Sequence, residues 1–136
     1  MSLLTIGYLP DLLQYCLDKQ LLIKMLIVTG PEFLDPKILP RSVKDQYLKK
    51  YQLLSQQLLE IPVVNDYNAG DPNNYTLTVK EHIKMCVNIL STATADDVQQ
   101  QYQALVKHCQ KWDQIYGYDA RKLYPELSII WNQYDY

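Results

Sequence analysis

The sequence predicts a mainly α-helical fold with one short strand. Apolar residues recur at helical spacing in several segments, whereas Leu21–Val28 is the one run dense enough in Leu, Ile and Val to form a buried strand. The chain has 136 residues, of which 48% are hydrophobic, and this is sufficient for one domain with a sizeable core. We expect one compact domain in two parts: a helix–strand unit with its exit loop over residues 1–40, and a helical appendage over residues 41–136.

The first part contains a short helix followed by the apolar run. Leucines and Cys16 recur at helical spacing after Pro10, which predicts a helix over residues 10–19. The run Leu21–Val28 is apolar at nearly every position apart from Lys24, as is typical of a strand covered on both faces of a parallel sheet. A lone strand leaves its backbone N–H and C=O groups without partners, and the rest of the chain offers almost no other strand. We therefore expect it to pair with a second copy of the chain or with a sheet outside this chain.

The second part predicts a bundle of three to four helices. Ser42 and Asp45 are expected to cap a helix over Val43–Leu59, and Thr78–Glu81 has the spacing of a capping box for the next helix. Between them, residues 61–74 are rich in Pro, Asn and Asp, which predicts an exposed loop. The inward faces of the two helices are expected to carry Val43, Tyr47, Tyr51, Leu54 and Leu58, and then Val79, Ile83, Cys86, Val87 and Leu90.

The next helix is expected to pack against its predecessor as a helical hairpin. Its apolar residues alternate at spacings of four and three, and they are Val98, Tyr102, Leu105, Cys109, Trp112 and Tyr116. Gly117 is expected to end this helix as a C-terminal cap. A last short helix is expected over residues 125–131.

Two segments of the chain resemble one known family. Gly30–Pro40, followed by the helix that opens near Val43, resembles the end of the barrel in twitch-domain radical SAM (S-adenosylmethionine) proteins. Trp112–Gly117, followed by Tyr124–Leu127, is similar to the closing "aromatic-D-x-x-R-G … F-P-E-L" segment of that family. The resemblance implies that the first part is the last helix and strand of a (β/α) barrel and that the second part is a helical appendage.

The chain also departs from that family. The family's chemistry needs three cysteines spaced C-x3-C-x2-C, which hold a [4Fe–4S] cluster that reduces S-adenosylmethionine. Cys16, Cys86 and Cys109 do not have this spacing, and Tyr116 stands where the family usually has arginine. The resemblance therefore implies a non-catalytic C-terminal accessory region, inert in isolation, that packs on the missing N-terminal barrel domain and covers part of its substrate cleft. The resemblance implies the cluster and S-adenosylmethionine for the parent enzyme only. We expect no cofactor in this chain.

The alternative hypothesis is a stand-alone protein-interaction module that forms a homo-oligomer through residues 21–28. Twelve tyrosines against one phenylalanine indicate half-buried faces whose hydroxyl groups reach water or a partner. Under either hypothesis, the residues expected at an interface are Leu22, Ile23, Leu26, Val28, Tyr116, Tyr124 and Trp131.

The chain offers one weak metal-site candidate. His82 and Cys86 lie four residues apart on one helix face, and His108 or Cys109 could add a ligand from the next helix. The two cysteines also fall on apolar stripes, where a free cysteine acts as a small hydrophobe, and this interpretation is favoured. Asp113 is expected to lie beside Trp112 as a buried hydrogen-bond acceptor or as a helix-end residue.

Charge and cysteine usage restrict the functional class further. The net charge is −2, and Lys and Arg are distributed along the chain rather than clustered, so we expect no binding to nucleic acid or to an anionic membrane. Beyond Arg121 and Lys122, the aromatic residues near the C-terminus lack the interleaved basic residues of a single-strand nucleic-acid platform. Three widely separated cysteines are typical of a reducing cytoplasm, which is the expected location.

Overall fold

The computed structural model describes residues 1–23, 26, 30–59 and 74–136, with residues 74–78 described by their backbone alone. These ranges are mainly helical, as predicted. Short 3₁₀ turns lie at Glu32–Leu34, Pro36–Ile38 and Pro125–Leu127. The α-helices are α1 (Leu9–Asp18), α2 (Arg41–Leu59), α3 (Asn74–Ser91), α4 (Gln99–Tyr116), α5 (Ala120–Leu123) and α6 (Ser128–Gln133). None of the described helices combines the length and the apolar character needed to cross a bilayer.

The predicted strand is not found where the structure describes the chain. Residues 21–23 and Leu26 have no regular secondary structure, and the remaining positions of Leu21–Val28, with Val28 itself, lie outside the described residues. Leu22 is 69% exposed and Leu26 is 76% exposed, so neither is buried within the chain. The physical reason is that a strand needs a partner strand, and no described segment supplies one.

One core joins the two predicted parts of the chain. Helix α2 packs mainly on α3, and α1 packs against both. The predicted inward faces of α2 and α3 are confirmed, except that Val87 is half-buried. The first part contributes Leu3, Ile6, Leu13 and Leu39, and the second part contributes Val43, Tyr47, Tyr51, Leu54, Leu58, Val79, Ile83, Cys86, Leu90, Tyr102, Leu105 and Cys109.

Two helix starts differ from the prediction. Helix α2 begins at Arg41, because the N–H groups of Val43 and Lys44 both donate to the carbonyl oxygen of Pro40 and so close the first turn there. Ser42 is therefore inside the helix, and Asp45 forms an ion pair with Arg41 at 2.6 Å. Helix α3 begins at Asn74, within the predicted loop, so Thr78–Glu81 is not its N-terminal cap.

The predicted end of α4 is confirmed. Gly117 has a φ of 70°, in the left-handed region that favours glycine, and its N–H donates to the carbonyl oxygen of Asp113 at 2.8 Å. This turn reverses the chain after α4 and brings α5 and α6 back against it.

Several tyrosine hydroxyl groups bond the chain's own carbonyl oxygens. Tyr51 donates to Ile6 O at 2.6 Å, and Tyr102 donates to Ile38 O at 2.6 Å. Both rings are buried, and both acceptors lie outside the α-helices. Part of the unusual tyrosine content therefore satisfies the backbone of loops inside the protein rather than facing a partner.

Lys44 is fully buried, which the sequence analysis did not predict. Its Nζ donates to Lys37 O at 2.7 Å and to Thr92 O at 3.0 Å, and its relative exposure is 0%. Burial lowers the pKa of the Lys44 ammonium. Thr94 Oγ1 bonds the neighbouring Leu39 O at 2.6 Å. Together these side chains fix the loop before α2 against the loop that joins α3 to α4.

We predict that Lys44→Met destabilises the protein by about 2 kcal/mol, because it leaves two loop carbonyl groups without their donor. Urea unfolding followed by circular dichroism measures this loss. The matched control is Lys49→Met on the exposed side of the same helix, which should change stability by less than about 0.5 kcal/mol. Equal effects of the two substitutions would show that the Lys44 contacts contribute nothing.

Candidate functional site

A cleft of about 400 Å³ lies between the N-terminal segment, α4 and the segment that follows α4. Leu4 and Leu34 form one wall, Trp112 and Asp113 of α4 form the second, and Tyr124 belongs to the third. Leu34 comes from the first family-like segment, whereas Trp112, Asp113 and Tyr124 come from the second. The structure therefore brings these two segments together at one site.

A row of five aromatic rings passes the cleft, and His108, Trp112 and Tyr118 of this row line it. His108, Trp112 and Tyr116 lie four residues apart and share one face of α4. Phe33 packs on His108 with ring centroids 5.1 Å apart, and the next spacings are 5.3 Å to Trp112 and 5.6 Å to Tyr116. Tyr118 completes the row at 6.1 Å from Tyr116. We call these five residues the aromatic row.

The outer part of the aromatic row is exposed. Trp112 is 51% exposed, Tyr116 is 58% exposed and Tyr118 is 60% exposed. Trp112 and Tyr116 were both expected on the apolar stripe by which α4 packs against α3, and that prediction is wrong for both, because α4 packs mainly on the Glu32–Leu34 turn. The physical reason is that the inward stripe of α4 is completed by Tyr102, Leu105 and Cys109, while the turn at Gly117 leaves the last turn of the helix uncovered.

Asp113 is the acidic residue of the cleft. Its two carboxylate oxygens accept the Ala120 N–H at 3.1 and 3.0 Å, and Oδ2 also accepts the Tyr136 hydroxyl. The predicted role as a hydrogen-bond acceptor is confirmed, but Asp113 is half-buried rather than buried. Burial, followed by the bond to Asp113, raises the pKa of the Tyr136 phenol. The Arg121 guanidinium donates to Asp119 rather than to Asp113, with Nε 3.0 Å from Oδ1 and Nη2 3.2 Å from Oδ2.

The cysteines behave as buried thiols. The Cys86 thiol lies against Met1 Sδ at 3.4 Å, and burial raises its pKa. Burial, followed by the charge of Asp113, raises the pKa of Cys109 to about 12. Protonated thiols are poor metal ligands, because the thiolate is the binding form. In the part of the chain that the structure describes, no group of three or more His, Cys, Asp or Glu residues could hold a metal ion, so His82 and Cys86 gain no further ligand there.

The remaining predicted interface residues differ in their exposure. Ile23 and Tyr124 are half-buried, and the Tyr124 ring packs edge-on against Tyr8 at 5.9 Å. Trp131 is only 3% exposed, so its predicted place at an interface is wrong. Its indole N–H donates to Tyr124 O at 2.9 Å, which satisfies its polar atom and allows the whole ring to enter the core.

From the sequence, His108 was expected only as a possible metal ligand, and Leu34 was not expected at any site. The spacing of His108, Trp112 and Tyr116 could have indicated a shared helix face. No local signal could have shown that the Glu32–Leu34 turn packs on α4, because that contact joins segments far apart in the chain.

The comparisons with known proteins give no assignment. No protein-family profile, no curated protein and no solved structure matches the chain. The resemblance to twitch-domain radical SAM proteins therefore depends on the two sequence segments alone.

Proposed function

We propose that this chain is a non-catalytic C-terminal accessory region of a radical SAM-like iron–sulfur enzyme. The observation that supports the proposal is the meeting of the two family-like segments at one cleft. Leu34 of the first segment and Trp112, Asp113 and Tyr124 of the second line the same space. Segments that belong to one functional unit are expected to meet in the folded protein, whereas two chance similarities have no reason to do so.

The barrel would dock beside the segment that follows α1. Leu22 and Leu26 expose most of their side chains, at 69% and 76%, and large exposed apolar patches often mark interaction surfaces. In the proposal, this segment pairs with the neighbouring barrel strand only when the barrel is present. The accessory region then packs on the barrel and covers one side of its substrate cleft.

The proposal assigns the chemistry to the barrel and not to this chain. The barrel's cysteines would hold the [4Fe–4S] cluster, which transfers an electron to S-adenosylmethionine. Cys16, Cys86 and Cys109 are buried free thiols at unrelated positions, so they take no part in it. Free thiols also agree with a reducing compartment, and we therefore propose a cytoplasmic enzyme.

The longest gene product that contains this sequence tests the proposal. We expect a C-x3-C-x2-C motif before residue 1, bound iron after anaerobic purification, and reductive cleavage of S-adenosylmethionine. Introducing Leu22→Glu with Leu26→Glu should reduce that cleavage at least tenfold by weakening the barrel contact. Leu59→Glu is the matched control, since Leu59 is 82% exposed on the far end of α2. A gene product without the motif, or without bound iron, would contradict the proposal.

The exposure of Leu22 and Leu26 also favours the second hypothesis, a module that pairs with a second copy of itself through residues 21–28. Sedimentation velocity on the 136-residue chain distinguishes it. Self-pairing predicts a dimer that the double substitution Leu22→Glu with Leu26→Glu converts to a monomer. The control substitution Leu59→Glu should leave the dimer intact. A monomer at all concentrations would exclude self-pairing and leave the barrel as the proposed partner.

A further inference from the structure

We propose that the cleft beside the aromatic row is a binding site for a small aromatic primary amine. This inference uses the geometry of the cleft alone and does not depend on an association with a barrel. It concerns the side of the molecule formed by α4 and the C-terminal segment.

The size and the walls of the cleft suit a small apolar molecule. Its volume of about 400 Å³ is within the range of small-molecule pockets, which is roughly 300–1,000 Å³. Leu4, Leu34 and Leu123 supply aliphatic surface, and Trp112 and Tyr118 supply aromatic surface. Both aromatic side chains are more than half exposed, so ring surface is available to stack on a planar ligand.

The charge of the cleft selects a cation. Among the described residues that line it, Asp113 is the sole carboxylate, and none is Lys or Arg. The hydrogen bonds that Asp113 receives come from neutral donors, the Ala120 N–H and the Tyr136 hydroxyl. No Lys or Arg within the described part of the chain forms an ion pair with it. The carboxylate charge is therefore not neutralised by a direct partner.

Asp113 also retains acceptor capacity. A carboxylate offers about four lone-pair sites, and the donors from Ala120 and Tyr136 use only part of them. The charge of Arg121 acts on Asp113 without a direct bond, because its guanidinium bonds both oxygens of Asp119 and lies over the Tyr136 ring. An ammonium group in the cleft could accordingly bond Asp113 while the exposed faces of Trp112 and Tyr118 attract its charge. An attached aromatic ring would fill the apolar part.

Three probes of nearly equal shape test this inference: phenethylamine, 2-phenylethanol and 3-phenylpropionate. Each is titrated into the 136-residue chain at neutral pH and low salt, and binding is measured by saturation-transfer NMR on the probe. We expect the amine to bind about tenfold more tightly than the alcohol, a difference of about 1.4 kcal/mol. The propionate should bind most weakly, because its charge has the same sign as that of Asp113.

Variants locate the site. Asp113→Asn should bring the affinity for the amine within about twofold of that for the alcohol, since the amide keeps the shape but loses the charge. Trp112→Leu should weaken the binding of both the amine and the alcohol, because both lose the ring on which they stack, and it should weaken the amine more, because the amine also loses the attraction of its charge to the indole. Ile115→Ala is the matched control, because Ile115 is 59% exposed on the same helix but lies outside the lining of the cleft. It should leave all three affinities unchanged.

Asp113→Asn could disturb the fold, since Asp113 also holds Ala120 and Tyr136. Circular dichroism checks the fold, and the salt dependence of the wild-type protein gives an independent test. Raising the salt concentration should lower the affinity for the amine and leave the affinity for the alcohol unchanged, because salt screens the charge of a partly exposed carboxylate. Equal affinity for amine and alcohol in the wild type, tightest binding of the propionate, or no binding of any probe would each overturn the inference. An unchanged preference in folded Asp113→Asn would do so as well.

Discussion

Raising the pH from 9 towards 12 will lower the free energy of unfolding steeply. Burial raises the pKa of the Cys109 thiol to about 12 and that of the Tyr102 phenol to about 12. Burial also raises the pKa values of Tyr47, Tyr51 and Cys86. These groups lie in the core that joins α2, α3 and α4.

The direction of the effect follows from proton linkage. The unfolded chain releases thiol protons near pH 9.0 and phenol protons near pH 10.0, whereas the folded chain keeps them. The folded state then binds more protons, so its stability falls as the pH rises, by about 1.4 kcal/mol per pH unit for each such group. The stabilisation is complete below pH 9. Lys44 acts in the opposite direction, because its lowered pKa makes stability rise with pH up to about 10.5. This single group is outweighed by the buried thiols and phenols, whose effects on stability add together.

Urea unfolding at pH values from 7 to 11 measures this effect. Stability should be level up to about pH 9 and then decline with increasing slope. Tyr51→Phe should cost about 1 kcal/mol at pH 7, through the lost bond to Ile6 O, and should make the decline shallower. Tyr15→Phe is the control, since Tyr15 is 53% exposed. This substitution should change neither the stability at pH 7 nor the slope of the decline. A stability that stays level to pH 11 would show that these groups are not buried.

Gly7→Ala will destabilise the protein by about 3 kcal/mol, which is near the upper end of the usual free-energy cost of overpacking a core. A Cβ at Gly7 would lie 2.3 Å from both Cε1 and Cζ of Tyr47 and 2.8 Å from its hydroxyl oxygen. The Tyr47 ring cannot easily move aside, because it is 3% exposed and its hydroxyl donates to Glu126 at 2.6 Å. Thermal or urea unfolding measures the loss.

Gly30→Ala is the matched control for Gly7→Ala, because nothing lies within 4 Å of a Cβ built at Gly30. It should change stability by less than about 0.5 kcal/mol. In a double-mutant cycle, Tyr47→Leu should relieve the clash, so that Gly7→Ala costs less in the Tyr47→Leu background. A cost that does not depend on residue 47 would place the strain elsewhere.

The helices were predictable because their signal is local. The buried faces of α2 and α3 follow from the 3.6-residue period of their apolar residues, and α1 differs from its predicted range by one residue at each end. The cap at Gly117 follows from the conformational freedom of glycine.

The features that were not predictable depend on contacts between distant segments. The composition of Leu21–Val28 is typical of a strand, but a strand exists only with a partner, and the described residues contain none. Lys44 is buried because Lys37 O and Thr92 O, distant from each other in sequence, converge on its ammonium. Trp131 is buried because it joins a core cluster that gathers residues from distant parts of the chain. The cleft itself depends on the packing of the Glu32–Leu34 turn on α4.

That packing is the central claim, because the proposed function and the amine site both depend on it. A two-dimensional NOE spectrum of the 136-residue chain tests it through the aromatic protons of Phe33 and His108, whose ring centroids lie 5.1 Å apart. We predict cross-peaks between these two rings and between the rings of His108 and Trp112. Cross-peaks between His108 and Trp112 without any to Phe33 would show that α4 forms but that the two segments do not meet, and this would contradict the account.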